Sequence, residues 1–244
     1  MNIKRFYHSP IKQPIIEISG TEAHHITNVM RLSPGTQIEI FDGLGTLAKG
    51  VIGTTSKKMV IIEISDLQKL QQRQTGKVTI VASIAKTDRF DWLISKCTEL
   101  GVDRICPAIF DRTVKQPKNP KIIDRFNNLA ISAAKQCKSL FIPEIDRPAP
   151  LESIIAKLKQ EQPNAWLITG SLEKDTKNIK QIISETTPPD YIAIIGPEGG
   201  ITEAENQMLS DNNSTGIKLT NTILRTETAA IAIATILCTA RDQY

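Results

Sequence analysis

The chain has 244 residues, 40% of them hydrophobic, enough apolar surface for one large core or two smaller ones and too much for a generally disordered state. The formal net charge is only +4, but it is uneven: +3 over residues 1–75, +1 over 76–83, +5 over 84–140 and −5 over 141–244, so the first part of the chain suits a polyanion unless its charges merely solvate a surface. Four widely spaced cysteines exclude a disulfide scaffold and a paired-cysteine zinc site, and neither residues 1–14 nor the short apolar run 229–238 makes a secretory signal or a membrane span. We therefore expect a cytoplasmic protein with reduced, mostly buried thiols, no metal and no membrane.

In chain order, short β-type runs come first, at Ile15–Ile18, Thr36–Phe41, Leu47–Gly53 and Met59–Ile64, with turn chemistry at Asp42-Gly43-Leu44-Gly45 and one helix from Thr21 to Met30. That pattern predicts a small β-barrel over residues 1–70. The polar run Gln68–Lys77 reads as a linker. From there the period changes: β-type runs at Val78–Ser83, Arg104–Ala108, Ala165–Thr169, Tyr191–Ile195 and Gly216–Leu219 alternate with helical patterns at Phe90–Leu100, Ile122–Cys137, Ala204–Leu209 and Glu227–Arg241. The alternation predicts an α/β domain over residues 76–244 built on a largely parallel sheet. In such sheets ligands gather at the carboxyl ends of strands, so the loops after Thr169, Ile195 and Leu219 are the ones to search.

The sharpest loop is Gly196-Pro197-Glu198-Gly199-Gly200, between an apolar strand and a helix whose N-cap is Thr202. Its three glycines let a ligand approach the backbone with no Cβ in the way. It matches neither the dinucleotide fingerprint nor the phosphate-binding P-loop, and a plain tight turn is its bland alternative. A second loop, Leu219 to Ala229, feeds a helix apolar from Ala229 to Cys238, which needs a core or a second subunit to cover it. Thr226 as N-cap and Glu227 as a first-turn carboxylate account for part of this loop without function. They leave Arg225, a permanent cation beside buried segments, unexplained.

A third stretch runs from Lys86 and Arg89 through a helix with Lys96 and Glu99, and residues 104–138 then hold eight Lys or Arg against two Asp. Such a stripe holds phosphates without reading sequence, or is an ordinary charged surface. All three histidines, His8, His24 and His25, precede residue 26, so a Ser-His-Asp hydrolase confined to the second domain is excluded. His24 and His25 are adjacent, share no helix face and form no metal pair.

Gly196-Pro197-Glu198-Gly199-Gly200, Ile223-Leu224-Arg225-Thr226-Glu227-Thr228-Ala229 and Lys96-Cys97-Thr98-Glu99-Leu100-Gly101-Val102 together resemble the bacterial 16S ribosomal RNA uracil-N3 methyltransferases of the SPOUT superfamily. Arg5-Phe6, His25 through Met30-Arg31, and Asp42 to Gly45 fit the same family's N-terminal domain, so the match covers nearly the whole chain. The resemblance implies a PUA-like β-barrel that helps bind RNA, followed by a SPOUT α/β domain with a C-terminal trefoil knot. It also implies S-adenosylmethionine as cofactor, 16S ribosomal RNA or the small ribosomal subunit as partner, and a homodimer with its active site near the subunit interface.

On this basis Thr169, Gly170, Ile195, Gly196, Pro197, Gly199, Gly200, Leu219, Ile223 and Leu224 are expected to hold the cofactor. Arg225, Glu198 and Glu227 are expected at the reaction, and Arg5, His25, Arg31, Lys86, Arg89, Lys96 and Gln136 at the RNA. Two departures stand out: Lys135-Gln136-Cys137-Lys138-Ser139 replaces the family's Glu-Gln, small residue and Arg, and Thr220 stands where a glycine is usual. Methylation of another base or of a ribose hydroxyl, and a catalytically silent RNA-binding protein of ribosome assembly, remain open alternatives.

Overall fold

The computed structural model describes residues 3–12, 14–56, 58–85, 87–114, 120–171, 176, 178–179 and 190–241. Contacts divide the chain into two units, one of Met1–Gln72 with Ala134–Ile142 and one of Arg73–Ala133 with Pro143–Tyr244.

In the first unit, strands β1 (Lys4–Tyr7), β2 (Ile15–Ser19), β3 (Gln37–Phe41), β4 (Thr46–Thr55) and β5 (Met59–Lys69) form one sheet in the order β1-β3-β4-β5-β2. Only the β1–β3 pair is parallel. Period-two alternation sends Ile16 and Ile18 inward while Ile15, Glu17 and Ser19 stay out. Those isoleucines join Phe6, Ile38, Ile40, Ala48, Ile52, Val60 and Ile62 in one core, closed by Ala23 and Ile26. The helical stretch is split: α1 spans Gly20–His24 and a π-helical turn follows over His25–Val29. The side-chain oxygen of Asp42 accepts from the backbone N–H of Leu44 and Thr46, at 2.8 and 2.9 Å, which fixes the β3–β4 turn. Strand β1 was not anticipated, because Phe6 is its one buried residue and a single apolar position has no period.

The second unit contains β6 (Lys77–Ser83), α2 (Thr87–Glu99), β7 (Arg104–Ile109), α3 (Ile122–Cys137, its last turn counted with the first unit), β8 (Glu144–Ile145), β9 (Ala149–Pro150), α4 (Leu151–Glu161), β10 (Trp166–Gly170), β11 (Asp190–Ile195), α5 (Glu203–Asp211), β12 (Thr215–Ile217) and α6 (Thr226–Arg241). Its sheet runs β12-β10-β11-β6-β7-β8, with β9 beside β7, and every pairing is parallel. Val81, Cys106, Ala108, Ile192 and Ile194 pack with Leu151, Ile154, Ile155 and Leu158 of α4 and Leu209 of α5. Helix α6 lies on β6, β11 and α2. Cover of this kind is why the strands read as continuous apolar runs.

From β6 the chain moves outward through β7, β8 and β9, then supplies β10, β11 and β12 on the other side. The neighbours β6 and β11 therefore flank the point where strand order reverses, and their following loops diverge there.

Three sequence expectations are corrected. The polar run Gln68–Lys77 is not all linker, since β5 continues to Lys69 and β6 begins at Lys77. Helix α4 was not anticipated, although Leu151, Ile154, Ile155 and Leu158 carry the helical spacing and are buried. The final helix is not covered all round: Ala230, Ile233, Ala234, Leu237 and Cys238 are buried while Thr228, Thr235 and Thr239 are exposed. Among the described residues no helix is long and apolar enough to cross a membrane.

Candidate functional site

At the carboxyl ends of β10, β11 and β12 lies a cavity of about 730 Å³, within the range of small-molecule sites. The loops after those three strands form its walls, and Thr226, Ala229 and Ile233 of α6 close it. Of the residues expected at a cofactor, Thr169, Gly170, Ile195, Gly196, Pro197, Gly200, Leu219, Ile223 and Leu224 line it, and so does Glu198. Gly199, Arg225 and Glu227 do not.

The wall after β11 depends on glycine. A Cβ on Gly196 would lie 2.6 Å from Cγ1 of Ile201, and Gly200 has a φ of +79°, in the left-handed region. The Gly200 N–H donates to the Pro197 carbonyl at 2.9 Å and closes the turn. Thr202 caps α5 as expected: its hydroxyl accepts from the Glu205 N–H while the Glu205 carboxylate accepts from the Thr202 N–H at 2.8 Å.

That capping glutamate reaches further, accepting from the Asp111 N–H at 2.9 Å, and Arg112 Nη1 donates to the Gly199 carbonyl at 2.8 Å. The loop after β7 therefore clamps the glycine turn from behind. Sequence reasoning missed Asp111 and Arg112, because no spacing along the chain relates them to a turn some ninety residues away. On the other side Thr226, expected as an N-cap, is the first residue of α6, and its hydroxyl donates to the Gly196 carbonyl at 3.1 Å.

Around this frame several polar groups lack partners. Thr169 Oγ1, in a cavity-lining residue 7% exposed, has no hydrogen bond, and neither has Glu227 Oε2. A buried polar atom without a partner is costly, so such atoms accumulate where a ligand completes them. Glu227 Oε1 lies 3.8 Å from Arg89 Nε, while Arg89 Nη1 donates to Glu198 Oε1 at 3.1 Å. Arg225 is exposed on the loop before α6, with no partner among the described residues.

The residues expected at RNA fare differently. Lys86 lies outside the described residues. Lys96 is paired with Glu99 one helical turn on, at 2.8 Å. Arg31 and Gln136 are exposed, whereas His25 is half-buried with its ring edge-on to Phe6. Arg5 is turned inward: its side chain is 9% exposed, Nε and Nη2 both donate to Glu39 Oε2, and Nη1 donates to the Lys138 carbonyl. Lys135, the departure from the family pattern, bonds Glu22 at 2.7 Å and sits 5.8 Å above the Phe6 ring, so its reversed charge is neutralised locally.

Thiol chemistry has no foothold at Cys97 or Cys106. Burial first, then the neighbouring Cys238, pushes the Cys97 thiol far above the ordinary range, and burial followed by Asp146 does the same to Cys106. Among the described residues no three His, Cys, Asp or Glu side chains are grouped to hold a metal ion.

Residues 71–238 match the model of an RNA methyltransferase domain, and residues 18–65 that of an RNA methyltransferase PUA domain. The chain is 29% identical over 223 residues to the Ribosomal RNA small subunit methyltransferase E of Bacillus subtilis, covering 89% of this chain and 87% of that one. It is 31% identical over 228 residues to the protein of the same name from Buchnera aphidicola of Acyrthosiphon pisum, with 91% and 87% covered. Among solved structures it is similar to a putative methyltransferase of Legionella pneumophila in complex with the bound cofactor SAM, with a TM-score of 0.87, 28% identity and 98% of both chains covered. It is also similar to a Ribosomal RNA small subunit methyltransferase E of Neisseria gonorrhoeae bound to S-adenosyl methionine, with a TM-score of 0.85, 25% identity and 97% of both chains covered.

Proposed function

The chain belongs to the RNA methyltransferase family, among the small-subunit ribosomal RNA methyltransferases E, and we propose that it methylates N3 of one uridine of 16S ribosomal RNA from S-adenosylmethionine. The observation that carries this reading is the glycine-walled cavity at the ends of β10, β11 and β12, with the buried Thr169 hydroxyl left without a partner.

The residues present fit the cofactor. Main chain at Gly196 and Gly200 can be approached with no Cβ in the way, Thr169 offers a hydroxyl unengaged among the described residues, and Leu219, Ile223 and Leu224 offer apolar walls. S-adenosylmethionine, when bound, supplies the methyl group and is left as the neutral thioether. The chain's own residues then have two tasks, to take the N3 proton and to stabilise the negative charge that spreads onto the uracil oxygens. Glu198 suits the first, since its carboxylate is the acidic group at the cavity wall among the described residues. Arg225 suits the second, because a guanidinium stays charged and donates two parallel hydrogen bonds.

Arg225 stands outside the cavity in the single chain. The reading therefore includes a homodimer in which the loop before α6 is completed at the subunit interface, along with a C-terminal trefoil knot around the cofactor and a cytoplasmic site of action. The uridine must be unpaired or flipped out, since N3 lies on the pairing edge. Exposed Arg31 and Gln136 of the first unit are available to the RNA, whereas Arg5 serves as an internal strut.

Mass spectrometry of nucleosides from small-subunit RNA, with and without the gene, tests the assignment. N3-methyluridine lost on deletion and restored by the purified protein is the expected result. An unchanged N3-methyluridine level, or a new product on a ribose or another base, overturns it.

A further inference from the structure

The cation expected at RNA phosphate is already committed inside the protein. Arg89 stands in the first turns of α2, just after β6, and the carboxylate it holds at 3.1 Å belongs to Glu198, just after β11. β6 and β11 are neighbours at the point where the strand order reverses, so one side chain spans the mouth of the crevice between their loops. The same guanidinium faces Glu227 in the first turn of α6, at 3.8 Å. The Glu227 side chain is only 7% exposed, against 49% for Glu198 and 36% for Arg89. A buried carboxylate requires a compensating charge, and Arg89 is the cation beside it among the described residues.

Resting on the proposed function, we propose that Arg89 is a positioning residue for the methyl transfer: anchored by the buried Glu227, it orients the Glu198 carboxylate that receives the N3 proton. The division of labour follows from exposure and position. Glu198 lines the cavity and is open to a ligand, so it exchanges the proton; Glu227 does not line it, so it serves as a fixed anion. Without an anchor, an arginine this exposed would lose rotamer freedom for little return. With one, three elements, α2, the glycine turn and α6, are tied at the point of proton transfer.

The test compares Arg89→Gln and Arg89→Lys with wild type in methyl transfer to small-subunit RNA. For Arg89→Gln, kcat at saturating substrates falls about tenfold or more, in keeping with impaired general-base catalysis. The loss falls on kcat, with KM for RNA near its wild-type value. The melting temperature falls, since the buried Glu227 loses its counter-charge, but where the variant stays folded its calorimetric affinity for S-adenosylhomocysteine and the slope of log KM for RNA against log salt keep their wild-type values. Arg89→Lys recovers part of the melting temperature and part of the rate. An unchanged kcat with a salt slope lower by about 0.7–0.9 assigns Arg89 to a phosphate and overturns the proposal. So does a rate loss that follows lost S-adenosylhomocysteine affinity. A wild-type chain that transfers no methyl group to this RNA overturns the proposed function and the positioning role together, whereas the other two outcomes overturn the positioning role alone.

Discussion

The two units treat their charged and polar side chains in opposite ways. In the first, Arg5 is spent on Glu39 and the Lys138 carbonyl, and Lys135 on Glu22, and no buried side-chain atom of its described residues lacks a partner. In the second, among the described residues, Thr169 Oγ1 and Glu227 Oε2 are buried and unpaired beside the glycine turn, and Arg225 at the loop before α6 has no partner. The second unit holds unpaired buried atoms elsewhere too, such as Thr79 Oγ1 inside β6 and Gln162 Oε1 beyond α4, so an orphan atom alone is not a site. The lesson lies in coincidence. Where unpaired groups collect around a cavity whose wall tolerates no Cβ, stability has been given up for a ligand.

The comparison breaks most sharply at Gly196. Gly196→Ala places a methyl group 2.6 Å from Cγ1 of Ile201, another residue of the cavity wall. Overpacking of this kind costs up to about 3 kcal/mol, so affinity for S-adenosylhomocysteine should fall by roughly a hundredfold and methyl transfer with it. Gly199→Ala is the control, since its Cβ meets Arg112 at 3.3 Å outside the cavity; calorimetry should find a far smaller loss there. Equal losses at the two positions would mean that the turn acts only as a turn. Next in size is Arg225→Ala. If the free guanidinium waits for uracil oxygens, turnover drops by about a hundredfold, or roughly 3 kcal/mol, while melting temperature and cofactor affinity hold. Were Arg225 only bracing the entry to α6, all three would fall together in a paired melting and single-turnover experiment.

Much of this site was legible in the chain, and the reasons for the remainder are physical. Gly196–Gly200 announced itself because glycine density is a local property, and the capping box of Thr202 and Glu205 because its partners are three residues apart. In the Arg89–Glu198–Glu227 cluster the arginine stands 109 positions or more from either carboxylate, which no periodicity relates; strand order brings them together. Arg5, expected at RNA from the family resemblance, and Lys135, noted as a departure from it, show a different limit. A basic residue reads as available to phosphate until its carboxylate is seen, and Glu39 and Glu22 lie on other elements. Of the fold, the parallel α/β unit followed from alternating periods. Strand β1, with Phe6 its one buried residue, and the π-helical turn after α1 left no periodic trace.

Two substitutions of intermediate effect sharpen the contrast between spent and unspent groups. Arg5→Met leaves Glu39 without its partner and the Lys138 carbonyl without its donor, so the first unit should lose about 2 kcal/mol in denaturant unfolding. The affinity for S-adenosylhomocysteine and the salt dependence of RNA binding should not change; a shallower salt slope would return Arg5 to the RNA surface. Thr169→Val removes a hydroxyl that the folded chain leaves unbonded. It should leave melting unchanged or raise it slightly, while weakening S-adenosylhomocysteine by about 1 kcal/mol, close to a fivefold rise in Kd. Lower stability with unaltered affinity would place the Thr169 hydroxyl in the frame of the fold instead.

The smallest effect expected is a pH dependence confined to the first unit, which contains all three histidines, His8, His24 and His25. Burial lowers the His8 pKa below its ordinary value by penalising the charged imidazolium. The unfolded chain therefore binds a proton at His8 more readily than the folded one does. Stability from the neutral ring is fully present above the unfolded value, near 6.5, and is lost as pH falls through the lower folded value. The ring remains partly exposed, so solvent screens the effect and the loss stays below that of Arg5→Met. His8→Gln keeps a polar side chain of similar reach but cannot be protonated. Its melting temperature should fall less than that of wild type between pH 7 and pH 5, while the affinity of the second unit for S-adenosylhomocysteine follows the same pH course in both proteins. Parallel melting curves for the two proteins would remove His8 from the account.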